Sequence, residues 1–401
     1  MENQKAFTII FLTVFIDLLG FGLIIPILPN YIKELGASNL QYGLIASVFS
    51  LLNFIFTPFL GSYSDRLGRR PIILLSIAMN FIGYMIFSHA AALPIFILSR
   101  IFCGIGSSNI SAAQAYIADI SSPENRTKMM GMIGAAFGLG FIFGPLFGGL
   151  LKISFGIEGL GYSAAGLCGL NFLLAFFLLP ESNKNLNANA PIRFVPVREY
   201  VAAFKKPILR ELMWLWVFYV GAFAMMQTVS ALLWKEKYGM DERHIGYLFG
   251  LIGVFSVIVQ AGLVGRLNKM YGEKRLLVYG STMMIFGLGM IPLIPQAFFW
   301  TGSIISIAFI TLGNGCLGPS LQALVSKITP PDEQGRMLGL NQSVGSIARI
   351  LGPMLSGLFY GFYDALPFFV GGAMMGVCVL ISNLVISAVN KREVSGAASI
   401  S

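Results

Sequence analysis

Apolar runs long enough to cross a lipid bilayer recur from one end of this chain to the other, and nothing else in it limits the fold as strongly. A hydrocarbon core roughly 30 Å thick takes about 20 helical residues to cross. Twelve such runs are read, at residues 7–28, 41–63, 72–89, 93–117, 129–151, 160–180, 211–233, 243–265, 275–294, 298–324, 336–360 and 366–388. With 56% apolar and 11% charged residues and a mean hydropathy of +0.77, the chain lies outside the range of soluble domains. Lipid offers backbone groups no partners, so each run must satisfy its own hydrogen bonds as a helix. The expected fold class is an all-α integral membrane protein with twelve transmembrane helices. The first run has no small-residue cleavage site before the next and is read as a retained helix.

The net charge of +9 is no sign of nucleic acid, because the cations are sorted by side. With the N-terminus inside, 20 of the 27 Lys and Arg fall in inner segments and 5 (Lys33, Lys152, Lys235, Lys237 and Arg243) in outer ones, leaving Arg100 and Arg349 inside spans. Both termini are therefore expected in the cytoplasm, and short loops suggest a bacterial inner membrane. Cys103, Cys168, Cys316 and Cys378 all fall within apolar spans, and His89 and His244 sit near span ends. No metal site, cofactor or catalytic constellation is expected.

The chain repeats itself. "ISSPENRTKMMGMIGAAFGLGFIFGPLFGG" from Ile120 and "ITPPDEQGRMLGLNQSVGSIARILGPMLSG" from Ile328 align at an offset of 208, pairing Gly144-Pro145 with Gly352-Pro353. An offset of 204 pairs Gly61, Gly68 and Arg70 with Gly265, Gly272 and Lys274. Two six-helix bundles are expected, 1–182 and 211–401, joined by a cytoplasmic linker at 183–210. Such parallel repeats suit a transporter whose substrate path lies between the halves, and no loop resembling a channel filter is present. Gly140, Gly144 and Gly148 form a smooth helix face for close packing, and Pro145, beside Gly149, invites a bend.

The loop "GSYSDRLGRRPIILL", starting at Gly61, has the spacing G-x-x-x-D-R-x-G-R-R. It resembles the signature loop of the major facilitator superfamily, and the resemblance covers essentially the whole chain. "DLLGFGLIIPILP" from Asp17, "SRIFCG" from Ser99 and "GLGFIFGPLFGG" from Gly138 resemble the first-, fourth- and fifth-span motifs of its twelve-span drug:proton antiporters, the tetracycline-resistance type above all. The resemblance implies a cytoplasmic gate of Gly61, Asp65, Arg66, Gly68, Arg69, Arg70 and Asp119. In it Asp65 caps or pairs with the opposite half, and Arg69 or Arg70 pairs with Asp119. The second copy carries Lys269 and Lys327 where the first has Asp65 and Asp119, so its latch is expected to be degenerate.

Three charges lie deep in the spans. Asp17 is about ten residues into the first, about 15 Å at 1.5 Å per residue. A bare carboxylate there is disfavoured by several kcal/mol, about 3 on insertion scales, unless it is paired, wetted or protonated. Arg100 reaches a similar depth from the outer end of the fourth span. The two are expected to couple, with Asp17 alternating between proton-bound and Arg100-coupled or substrate-coupled states; a permanent structural pair is the alternative. Arg349 lies about 18 Å into the eleventh span. Its partner is Asp17, backbone carbonyls or an anionic group on the substrate, unless it only packs. Asn53, Asn109, Gln114, Gln227, Asn314, Gln322, Asn341 and Gln342 add hydrogen-bonding groups, and as a set they suggest a substrate cavity.

The resemblance has gaps. Positions matching three charged residues of the tetracycline pumps hold Gly83, Ser256 and Met284, which weakens tetracycline as the substrate. The expected function is a proton-coupled exporter of small amphipathic compounds, acting as a monomer and driven by the proton gradient. A carrier dedicated to one metabolite, siderophore or lipid is the nearest alternative. A non-transporting receptor or assembly subunit is the alternative from another class.

Overall fold

Prolines and glycines set where the helices begin and end. The structure, a computed structural model, describes residues 2–121, 123–183, 186, 204–205, 207–328 and 334–398; among them are thirteen α-helices and no strand. Helix α1 (Glu2–Ile24) leads into the short α2 (Leu28–Glu34), where Pro29 stands at a first-turn position whose missing N–H costs nothing. Ser38 opens α3 (Asn39–Leu67) with a capping box: its Oγ accepts from the Gln41 N–H, and its own N–H donates to the Gln41 side chain. Gly68, at φ 104°, then turns the chain into α4 (Arg69–Ser88), a conformation that only glycine takes without strain.

The fourth span is α5 (Leu93–Gly106), a 3₁₀ turn (Ser107–Asn109) and α6 (Ile110–Ile120) in succession. Helix α7 (Pro123–Leu178) is broken at Gly156 and so carries two expected spans. The second half follows as α8 (Pro207–Tyr238), α9 (Glu242–Val257), a π-helix (Ile258–Leu263), α10 (Val264–Met290), α11 (Phe299–Ile328), α12 (Gln334–Phe362) and α13 (Leu366–Ala398). Ten helical stretches among the described residues are long and apolar enough to cross a membrane. One of them, Phe143–Leu178, takes in the end of the expected fifth span and nearly all of the sixth, and the expected eleventh is helical within α12 without being among the ten. The chain is a multi-pass membrane protein.

It divides into two compact units, Met1–Val195 with Trp234–Gly253, and Pro196–Leu233 with Val254–Ser401. Most of the expected linker lies outside the described residues. In the first unit α1 packs along α7, and α4 lies against α5 and α7. Small residues allow the approach: a Cβ on Gly140 would stand 2.8 Å from the Leu18 Cβ, and one on Gly144 2.5 Å from the Gly22 Cα. Gly149 approaches the Glu242 carbonyl in the same way, at 2.8 Å. In the second unit α10 packs against α11 and α13, and Gly352, next to Pro353, brings α12 onto Ala224 of α8. All four cysteines are buried and free.

Candidate functional site

Asp17 is 9% exposed on α1 and faces a cluster of asparagines. Asn109, from the 3₁₀ turn, donates its amide to Oδ2, while Oδ1 is buried with no hydrogen-bond partner. Asn80 of α4 and Asn171 of α7 lie within electrostatic reach of this carboxylate. Asn171 donates as well to the Thr13 carbonyl, at 3.1 Å, which ties the cluster to the α1 backbone. Four elements thus converge on one acid. Sequence reasoning selected Asn109 as a cavity residue and passed over Asn80 and Asn171, whose only signal is a polar side chain in an apolar span.

Arg100, 3% exposed, does not pair with Asp17. Its guanidinium lies 5.4 Å from the ring centres of both Phe87 and Phe96, with Nε 3.3 Å from Ser99 Oγ. Aromatic faces attract a desolvated cation by about 2 kcal/mol or more, so α4 and α5 hold this charge without a carboxylate. The position matched to a tetracycline-pump aspartate, Gly83, is closed by the same helix pair: a Cβ there would stand 2.5 Å from Cys103 Sγ. Met284, at another such position, is fully buried.

The residues of the expected gate assemble around Arg69. Its guanidinium meets Asp65 at 2.6 Å, Asp119 at 3.2 Å and Ser64 Oγ at 2.6 Å, and Ser182 donates to Asp119 at 3.0 Å. Asp65 therefore pairs within its own loop, because the turn at Gly68 brings residue 69 back over residue 65. Arg70 bonds to the Phe176 carbonyl at 2.5 Å and lies over the Phe176 ring, leaving Asp119 to Arg69. Glu181, absent from the expected gate, accepts from the N–H groups of Arg69 (2.9 Å) and Arg70 (3.0 Å) and so caps α4. Gly61 lets α3 approach Ser111 of α6, and Arg66 is half-buried.

The second copy, with Lys269 and Lys327 in place of the acids, holds a different ion pair at this place. Lys327 binds both carboxylate oxygens of Glu273, at 2.7 and 2.8 Å. At the offsets of the repeat, Glu273 answers Arg69 and Lys327 answers Asp119. The latch is present with its charges reversed.

An outer cluster was not anticipated. Glu242 meets Lys152 at 3.0 Å and Lys235 at 3.2 Å; Glu34 meets Lys235 at 3.0 Å and Lys152 at 3.8 Å; Lys33 pairs with Glu236. These residues come from three distant stretches of chain, 33–34, 152 and 235–242, which is why no local motif announces them.

The remaining cavity candidates fall in both units. In the first, Asn53 is half-buried and Gln114 exposed. In the second, Gln227 is half-buried, Gln322 is exposed, and Asn341 is buried with Oδ1 unpartnered; the Gln342 side chain lies outside the described residues. Asn314 accepts from the Tyr219 hydroxyl at 2.5 Å. Arg349, whose side-chain neighbours include Ser346 Oγ at 3.1 Å, keeps accessible surface.

Known proteins resemble the chain over most of its length. The family model described as Major Facilitator Superfamily matches residues 10–353 and 297–400. The chain is 33% identical to the tetracycline resistance protein, class C, of Escherichia coli, over 94% of this chain and 96% of that one. It is 29% identical to multidrug resistance protein 2 of Bacillus subtilis (strain 168), over 93% of each. Among solved structures, the human organic anion transporter MFSD10 superposes with a TM-score of 0.73 at 23% identity, covering 95% of this chain and 99% of that one.

Proposed function

The chain belongs to the major facilitator superfamily, and on that premise we propose that it exports small amphipathic compounds, drugs among them, in exchange for protons by alternating access. The observation that carries this reading is the Asp17 cluster. A carboxylate in an apolar span, with one oxygen on an asparagine and the other without a partner, is a site at which a proton can be gained and given up. Neutral amides around it tolerate both forms, since an amide can donate to the carboxylate or accept from the acid. A cation locked against it would favour only one. Arg100 instead lies against two phenyl rings.

Relatives named for tetracycline and multidrug resistance support drugs as cargo. The closed position at Gly83 supports compounds other than tetracycline. The sorting of Lys and Arg supports a cytoplasmic-membrane location with both termini inside. The proton gradient supplies the energy, and a monomer with no bound cofactor suffices.

The test is accumulation of a panel of fluorescent dyes in efflux-deficient bacteria. Wild type is expected to lower accumulation of several dyes, and both a protonophore and Asp17→Asn to abolish that effect. Export that stays fully proton-driven in Asp17→Asn excludes Asp17 as the carrier, and a panel with no responding dye despite good membrane expression overturns the reading.

A further inference from the structure

Where the expected eighth span gives way to the ninth, residues 266–275 hold four cations, Arg266, Lys269, Lys274 and Arg275, and one acid, Glu273. Lys327 binds both oxygens of that acid, so its charge is already matched. Arg266, Lys269 and Arg275 are exposed and make no hydrogen bond or ion pair among the described residues. The first copy of the repeat differs in this respect. There Arg69 lies between Asp65 and Asp119, and Arg70 bonds to the Phe176 carbonyl. Unmatched like charges repel one another, and an anion from outside the chain removes that cost.

The backbone gathers these cations beside two exposed tyrosines. Arg266 and Lys269 are three residues apart and share a helix face. Helix α10 then breaks at Gly272 (φ 73°), and Tyr271 before the break meets Tyr279 after it edge to face, with ring centres 5.4 Å apart. Arg275 precedes Tyr279 by four residues and shares its face. Met270, within the cationic stretch, is 69% exposed.

The place of this cluster in the fold identifies its partner. It lies between two apolar stretches long enough to cross a membrane, where the chain leaves the hydrocarbon. The anions at that depth are the phosphates of lipid headgroups, and basic clusters beside a span bind them. Tyrosine suits the same depth, with an apolar ring and a polar hydroxyl. Arginine can hold two phosphate oxygens at once, and lysine adds a point charge.

We propose that Arg266, Lys269 and Arg275, with Tyr271 and Tyr279, form a binding site for the headgroup of an anionic phospholipid. The site does not depend on the export reading. It favours a lipid of net negative charge over a zwitterionic one, whose ammonium the three cations repel.

The experiment is fluorescence polarisation of acyl-labelled phosphatidylglycerol and, in parallel, of phosphatidylethanolamine with the same chains. Each is titrated with delipidated full-length protein in a neutral maltoside detergent. Wild type is expected to bind phosphatidylglycerol about tenfold or more tightly than phosphatidylethanolamine, as three cations beside one anionic headgroup imply. Arg266→Gln, Lys269→Gln and Arg275→Gln should each lower the ratio of the two affinities by about fivefold, the scale of one surface cation. The triple variant should bring the ratio close to one. The substituted side chains are exposed, and a ratio cancels any general loss of folded protein. Lys237→Gln, which removes an exposed cation at the end of α8, should leave the ratio unchanged. Equal affinities in wild type overturn the proposal, as does a preference that the triple variant keeps. A ratio lowered as far by Lys237→Gln as by the single variants also overturns it, because net charge and not a site then sets the preference. Inorganic phosphate is the last arm: it should not displace phosphatidylglycerol at equal concentration, and displacement assigns the cations to a soluble anion and overturns the lipid.

Discussion

The ion pairs at the two copies of the repeated loop occupy matching positions with opposite signs. In the first half a cation at a helix start, Arg69, meets an anion at a helix end, Asp119; in the second an anion just past the break in α10 at Gly272 (φ 73°), Glu273, meets a cation at a helix end, Lys327. Coulomb attraction is indifferent to which partner carries which charge. The helix ends are not. A helix N-terminus favours negative charge and a C-terminus positive charge, by about 0.3–1 kcal/mol each. The second latch is matched to the dipole at both ends, and the first is mismatched at both.

The surroundings of each follow from this. Arg69 gathers Asp65, Ser64 and Asp119, and Glu181 binds the two N–H groups at the start of α4 that the Arg69 side chain cannot satisfy. Position 389, the counterpart of Glu181 at the offset of 208, is Val389. Lys327 and Glu273 bind each other with the lysine side chain 62% exposed. One latch is a buried, over-coordinated junction and the other is a surface pair.

The contrast breaks first at Arg69→Glu. That change sets four carboxylates together with no cation among them, and a drop in stability of about 3 kcal/mol is expected, since stranding a buried charge costs 3–5 kcal/mol and this site is partly exposed. Thermal unfolding in detergent measures it, and a loss below that of Lys327→Ala would end the distinction between the latches. Glu181→Gln comes next. Its oxygen can still cap one N–H, but the charge at the helix start is lost, for about 1 kcal/mol. The same melt should show a decrease, and no decrease would mean that Arg69 alone sets the start of α4. Lys327→Ala is the smallest, at about 0.5 kcal/mol or less as for other exposed pairs, with dye export expected to stay within about twofold of wild type. A large loss of export there would give the second latch a working role that its exposure argues against.

Much of this was legible along the chain. Residues 7–28 and the later runs state their helices outright, because lipid leaves an apolar segment of that length no other way to satisfy its backbone. The loop from Gly61 to Arg70 was legible too, since its glycines and charges must sit in one turn. The reversed latch was half legible. Lys269 and Lys327 stood out as replacements for acids, yet the compensating Glu273 was missed because each loop was read for matches to the first copy and not for charge products.

The Asp17 environment was less legible. Asn80 and Asn171 are 63 and 154 residues away from Asp17 in the chain and carry no spacing rule. Arg100 has the depth of a partner for Asp17, but depth along a helix does not give rotation about it, and the ring faces of Phe87 and Phe96 claim the guanidinium instead.

The sequence by itself determined what the solvent dictates: twelve runs that must be helices in lipid, and the repeat that relates its two halves. These follow from local composition, whose free energy each segment feels alone. Only the tertiary structure decided which charges meet. Glu181 on the start of α4, Lys152 and Lys235 on Glu242, and Trp216 beside Gly345 are pairings between distant segments. They depend on distances of a few ångströms that helix packing sets, because a charge or a donor is satisfied only by what lies within reach of it.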